Sequence, residues 1–339
     1  VNVAAAGHQS AALVFLSDHC AMTGSFRLMS AALGVLIVFA AVSGCASRDG
    51  RFIEENLVHD GRERTYLVHL PPGYDGSAPV PMVIVLHGGG GNPRNADEMS
   101  RMSEKADREG FIAVYPAGTG ALPGRLLTWN GGFCCGYAMQ HDVDDVGFIS
   151  ALIDGMIADY GVDPARVYVT GISNGGIMSY RLAAELPDKI AAIAPVAGSA
   201  GGQSGEGSGM IINRPDGPVS VIAFHGTADA RVPYEGGRPA YERSKGAYSY
   251  LSVNGSAMLW VEANNCTAAP RVTMEGNLTW TTYAGGDNGT EVVVCRIGGG
   301  EHSWPGGRRG YIGGDDPFED LSANDAMWEF FEGHPKQII

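Results

Sequence analysis

Residues 82–86 (MVIVL) carry no polar side chain on either parity, and a strand with that pattern has to be buried on both faces. This excludes a half-exposed antiparallel sheet at that point and demands helices above and below it. The rest of the chain supplies them. Residues 65–70, 111–115, 166–170, 190–196, 219–224 and 291–297 repeat the strand character. Between them, Ile149, Leu152, Ile153, Met156 and Ile157 fall at helical spacing within 146–160, and Asp144 or Asp145 is placed to cap that helix. Residues 177–185 form a second helical pattern, stopped by Pro187. Ser322 with Asp325 opens a last helix, which carries Met327, Trp328 and Phe331 and ends near Gly333. Strands alternating with helices predict an α/β fold with a mostly parallel central sheet and helices on both faces. With 45% hydrophobic residues and no internal repeat or linker, residues 46–339 are expected to form a single domain.

One strand-to-helix junction is chemically marked. Gly171-Ile172-Ser173-Asn174-Gly175 follows the strand VYVT and precedes the helical pattern GIMSYRLAAEL. This is the context of a nucleophile elbow, where small residues let a strained turn lift a serine hydroxyl above the sheet, and it predicts the α/β-hydrolase fold. That fold delivers its triad in the order Ser, acid, His. Three histidines follow Ser173: His225, His302 and His334. His334 lies in the polar tail and reads as solvated. His225 ends a strand before any convincing acid and reads as a structural residue bonding nearby loop backbone. His302 lies among glycines in a shaped loop directly after the last strand, and is the expected base. Asp229, on the loop after the strand VSVIAF, is the expected acid, where it would fix the imidazole tautomer; its alternative role is to stabilise an Asx turn. The Asn174 N–H is one expected oxyanion donor. The other is drawn from His87-Gly88-Gly89-Gly90-Gly91-Asn92, with Gly89 chosen and Gly88 and Gly90 as rivals. No Lys-Ser/Thr pair follows these glycines, so they do not read as a phosphate loop.

The N-terminal region points to export. No charged residue lies between 28 and 47, and residues 28–42 are apolar and run into Val42-Ser43-Gly44-Cys45, which resembles a bacterial lipobox with Cys45 as the lipidated residue. A start at Met22 gives a leader of ordinary length. The alternative is an uncleaved anchor. Residues 1–45 are therefore expected to be a leader, membrane contact is expected only through it, and a cell-envelope or secreted location follows. The formal net charge of −14 argues against nucleic acid as a partner. Outside the leader, four cysteines remain. Cys266 with Cys295, flanking a candidate hairpin region, is the preferred bridge, leaving Cys134–Cys135 as either a vicinal bridge or two free thiols. Adjacent cysteines lack zinc-ligand spacing, and neither a metal nor an organic cofactor is implied.

The segments LHGGGGN (86–92), WNGGFCCG (129–136), VDDVGF (143–148), GISNGG (171–176), HGTADARVPY (225–234) and GGGEHSWPGG (298–307) together resemble the secreted esterase family that groups polyhydroxybutyrate depolymerases with feruloyl and acetylxylan esterases. The resemblance implies Ser173, Asp229 and His302 as triad, a disulfide near the C-terminus and an ester, small or polymeric, as substrate. In one respect the chain departs from the family pattern: Glu301 precedes His302 where a glycine is usual, and it is expected to face solvent. Trp129 and Trp304 are candidates for stacking an aromatic acyl group or a sugar ring; core packing is the alternative, equally weighted for Trp129, while Trp304, two residues from His302, is expected to line the cleft. VDDVGF reads as helix capping rather than a carboxylate pair, and Asp287-Asn288-Gly289 as a hairpin turn rather than a calcium loop. The predicted activity is acyl transfer from an ester to water by a monomer. A peptidase, a transacylase and a non-catalytic surface lipoprotein are the competing classes.

Overall fold

A computed structural model describes residues 45–46, 52–205, 210–240, 248–311 and 313–337. The strands are β1 (Cys45–Ala46), β2 (Ile53–His59), β3 (Arg62–His69), β4 (Val80–Leu86), β5 (Ile112–Pro116), β6 (Val162–Ile172), β7 (Ala192–Val196), β8 (Gly201–Ser204), β9 (Ile211–Ile212), β10 (Ser220–Gly226), β11 (Tyr248–Tyr250), β12 (Arg271–Glu275), β13 (Leu278–Tyr283) and β14 (Val292–Ile297). The helices are α1 (Pro93–Ser100), α2 (Met102–Glu109), α3 (Gly136–Gln140), α4 (Asp145–Tyr160), α5 (Asn174–Glu185), α6 (Val253–Ala263) and α7 (Ala323–Gly333). The main sheet runs β1-β2-β3-β5-β4-β6-β7-β10-β14-β13-β12, and β11-β8-β9 form a small second sheet. From β5 to β14 the neighbours are parallel, while the two flanks are antiparallel. This is the mostly parallel, helix-covered sheet that the alternating pattern predicts.

The MVIVL run explains itself in register. Met82, Ile84 and Leu86 pack into the core on one face with Ile149, Leu152 and Ile153 of α4 and Leu182 of α5. Val83 and Val85 pack into the other core, with Met102 and Ala106 of α2 and Phe331 of α7. Alternate side chains of one strand thus feed two hydrophobic layers, and neither parity can be polar. Helix α4 starts where expected: the Asp144 carboxylate accepts the Gly147 N–H at 2.9 Å, and Gly161 ends the helix at φ 60°. Ser322 caps α7 by accepting the Asp325 N–H. Asp287–Gly289 turns the chain between antiparallel β13 and β14.

Two expectations need correction here. Cys266 and Cys295 are free thiols, not a bridge. Cys295 points with Val293 and Ile297 into one face of the sheet, whereas Cys266 packs against the core on the opposite face, so β14 itself separates them. Cys134 and Cys135 form a vicinal disulfide instead. His334 is not solvated: its ring stacks on Phe330 at 4.1 Å and Nδ1 contacts the Phe330 carbonyl at 2.7 Å. Of the leader expected over residues 1–45, residues 1–44 lie outside the described residues. Of Cys45 only the backbone pairing with Glu54 is described. Among the described residues, no helix is long and apolar enough to cross a membrane.

Candidate active site

Strand β6 ends at Ile172 and α5 begins at Asn174, which leaves Ser173 alone in the turn at φ 57° and ψ −121°. A non-glycine residue held there stores about 1–3 kcal/mol of backbone strain. The turn is tight enough that a side chain at Gly175 would collide with the Leu86 carbonyl oxygen, so glycine is required beside the serine. Ser173 and His302 line the same cavity of about 670 Å³, together with Gly88, Gly89 and Asn174.

Two loops at the C-terminal ends of β10 and β14 bring Asp229 and His302 together. They are tied by Thr227 N–H to Ile297 carbonyl and Ala228 N–H to Gly300 carbonyl, each 2.9 Å. His302 Nδ1 lies 2.7 Å from Asp229 Oδ2. The other carboxylate oxygen, Oδ1, accepts the Arg231 and Val232 N–H groups at 2.8 and 2.9 Å. This Asx-type turn and the imidazole contact therefore coexist in one side chain. Burial works against ionisation of Asp229, but the His302 and His225 imidazoles more than offset it and hold the carboxyl well below the usual carboxylate range. His302 Nε2 has no protein hydrogen-bond partner among the described residues. His225 contacts the Val232 carbonyl at 2.7 Å and Asp229 Oδ2 at 3.4 Å, the loop-bonding position expected for it. Glu301 is exposed, as expected.

The glycine loop has limited spare donors. Gly90 N–H goes to the Leu127 carbonyl at 2.7 Å and Gly91 N–H to the Gly88 carbonyl at 3.0 Å. Gly89 has no such bond, and a Cβ placed on it would meet the Asn174 Cβ at 3.6 Å, so the two chosen backbone positions adjoin. His87 shapes this loop from within the core. Its Nε2 accepts the Gly118 N–H at 3.0 Å, so Nδ1 is the nitrogen that donates, to the Gly88 carbonyl at 2.8 Å. Burial pushes its imidazole down to about 4, and it is neutral near pH 7.

Trp129 offers no stacking face. Trp129 is wholly buried, with its indole N–H on the His87 carbonyl at 3.0 Å. Its main chain is gripped by the Asn174 side chain, which accepts the Trp129 N–H at 2.7 Å and donates to the Trp129 carbonyl at 2.9 Å. Trp304 reaches the cavity wall but is only 1% exposed, and its indole donates to Asn324 at 2.9 Å. Trp129 is scaffold and does not line the cavity, which corrects the substrate-binding expectation for it; Trp304 lines the cavity with little of its surface exposed. The motif VDDVGF divides its labour: Asp144 caps α4, while fully buried Asp145 binds Arg64 at 2.6 Å and accepts the Asn130 N–H at 2.8 Å. Sequence reasoning missed the Asn174 clamp, the Arg64–Asp145 pair and a half-buried cavity residue, Tyr248. The bulky tyrosines of the 248–250 strand were the available signal for the last.

Comparison with known proteins agrees with this geometry. Residues 64–237 match the family described as esterase PHB depolymerase. The chain is 30% identical over 310 residues to NocK of Nocardia uniformis subsp. tsuyamanensis, named as an esterase, with 84% of each chain covered. It is also 30% identical to feruloyl esterase B of Piromyces equi, over 73% of this chain but only 44% of that one. An acetyl xylan esterase from Aspergillus awamori shares the fold at a TM-score of 0.53 and 16% identity, covering 79% of this chain and 94% of its own. The chain belongs to the esterase PHB depolymerase family, built on the α/β-hydrolase fold, and is a carboxylic ester hydrolase.

Proposed function

We propose that the protein hydrolyses carboxylic esters through Ser173, His302 and Asp229 by way of an acyl-enzyme. The observation that carries this reading is the 2.7 Å contact between His302 and buried Asp229 on the wall of the cavity that Ser173 lines. His302 Nε2 takes the Ser173 proton as the hydroxyl oxygen attacks the ester carbonyl, and Asp229 holds Nδ1–H and stabilises the imidazolium. The oxyanion receives the Gly89 and Asn174 N–H groups, and each such donor is worth roughly 10²–10³ in rate. His302 returns the proton to the leaving alcohol; water then repeats the sequence on the acyl-enzyme.

The substrate class is a feruloyl or acetyl ester of a polysaccharide, or a hydroxyalkanoate oligo- or polyester. The names of the relatives and the open cavity support it. Residues 46–339 act as one catalytic domain, exported by the leader and tethered through Cys45; the uncharged run ending in VSGC supports that location. The test sets methyl ferulate, an acetylated xylo-oligosaccharide and a hydroxybutyrate oligomer side by side, with S173A as the blank. Turnover of at least one, lost in S173A, is the expected result. Failure on all three and on short p-nitrophenyl esters, or activity persisting in S173A, overturns the reading.

A further inference from the structure

Gly89 and Asn174 lie on separate segments, the loop after β4 and the start of α5, so an oxyanion hole made from both needs their separation fixed. Residues 127–129 contact both segments. The Gly88 carbonyl and the Gly89 N–H belong to one trans peptide group and point in opposite directions. That carbonyl accepts the Gly91 N–H at 3.0 Å and His87 Nδ1–H at 2.8 Å, so the place of His87 sets the direction of the Gly89 N–H. His87 is held in turn by Trp129. The indole N–H donates to the His87 carbonyl at 3.0 Å, and the two ring centres are 4.9 Å apart. On the far side of Gly89, the Gly90 N–H donates to the Leu127 carbonyl at 2.7 Å.

The main chain of the same tryptophan binds the other half. Its N–H and carbonyl pair with the Asn174 side chain at 2.7 and 2.9 Å. Trp129 is itself anchored from both neighbours: Thr128 pairs with Thr119 through two bonds of 2.9 Å, and the Asn130 N–H donates to fully buried Asp145 at 2.8 Å. Trp129 is wholly buried and does not line the cavity, so it can act on a substrate only through the groups it holds. We infer that Trp129 is a positioning residue that sets the separation of the Gly89 and Asn174 N–H groups, and so acts on the developing oxyanion without touching it. This rests on the oxyanion role given to those two groups above. Donors held at a fixed spacing favour the charged tetrahedral state and give little to the neutral ester.

Two replacements test this. Trp129→Phe removes the indole N–H, and benzothienylalanine at the same position keeps the bicyclic shape but exchanges that N–H for sulfur. Trp328→Phe, at a buried tryptophan of α7 outside the cavity, controls for lost packing. Each protein is assayed with p-nitrophenyl acetate and with a pair of alkyl ketones. The Ser173 oxygen adds to the carbonyl carbon of the trifluoromethyl ketone, its proton passes to His302, and the ketone oxygen takes the negative charge in the hole. The matching methyl ketone stays trigonal and reports ground-state binding. Both Trp129 replacements should lose roughly tenfold in kcat and in trifluoromethyl ketone affinity, with KM and methyl ketone affinity within about twofold. Trp328→Phe should lower Tm and leave the ratio of the two ketone affinities unchanged. Equal weakening of both ketones, wild-type kcat with benzothienylalanine, or the same loss in Trp328→Phe overturns the assignment. If wild type binds the two ketones equally, or S173A keeps the difference between them, the Ser173 reading has failed instead.

Discussion

Replacing Asp229 by asparagine exchanges one oxygen for an NH2 group and leaves the volume unchanged, so its consequence follows from hydrogen-bond direction alone. Oδ1 accepts two backbone N–H groups, from Arg231 and Val232, and only an oxygen can occupy that position. The amide nitrogen is therefore forced into the Oδ2 position, 2.7 Å from His302 Nδ1. It donates, so Nδ1 must accept and the imidazole proton moves to Nε2. Nε2, the nitrogen that takes the Ser173 proton in the proposed mechanism, then already carries one and cannot take another. An inverted tautomer of this kind lowers kcat by about 10⁴, or roughly 5 kcal/mol in the barrier. D229N should stay folded, because its backbone bonds survive. D229A loses those bonds as well, and should be both inactive and less stable. The assay is p-nitrophenyl acetate hydrolysis from pH 5 to 10, with thermal unfolding of each variant alongside. D229N retaining more than a tenth of wild-type kcat at pH 7 would refute the assignment of Asp229 as the orienting acid.

The adjacent carboxylates Asp144 and Asp145 should separate in urea unfolding: D144A removes a cap and costs about 1 kcal/mol, whereas D145A strands buried Arg64 and costs about 3–5 kcal/mol. Equal losses would contradict the buried pair. His87 stays neutral in the folded chain down to about pH 4 but takes up a proton near its ordinary 6.5 when unfolded, so protons favour the unfolded state in between. Stability should thus fall with pH from about 6.5 to 4, by up to about 3 kcal/mol, and H87Q should flatten that slope; an unchanged slope removes His87 as its source. Burial raises the Cys266 thiol and pushes the Cys295 thiol up to about 12. Without reductant, mass mapping should find Cys266 alkylated slowly in the folded protein and Cys295 only after denaturation, and recovery of a peptide linking the two would restore the rejected bridge.

What could be read from the sequence was whatever is local or periodic. Met82–Leu86 and the helical spacing of α4 carry their burial in their own pattern, and the strand–Ser173–helix junction carries its strain in its glycines. Asp229 and His302 were paired from the sequence because each follows a strand and the chain order is constrained, and the two side chains do meet at 2.7 Å. Contacts across sequence distance were not legible. Asn174 grips the main chain of Trp129, and Asp145 meets Arg64, which no pairing rule anticipates. The direction of an indole ring depends on packing, so Trp129, read as a cleft residue, lies buried with its N–H on the His87 carbonyl, whereas Trp304 reaches the cavity wall with its N–H turned to Asn324. The cysteine error has the same root: bracketing a hairpin does not place two thiols on one side of a sheet. α1 and α2 escaped because they are short, polar and separated by Arg101 in the left-handed region.

The backbone angle at Ser173 also bears on how this chain changes over evolutionary time. Glycine alone is at ease at φ 57°, ψ −121°, so S173G should relax the turn and strengthen the fold while abolishing the hydroxyl. With Ser173 in its proposed role as nucleophile, stability and turnover pull in opposite directions at a single codon. A copy released from enzymatic duty would accept glycine there at no cost to folding, so a serine kept at this strained position serves the chemistry rather than the fold.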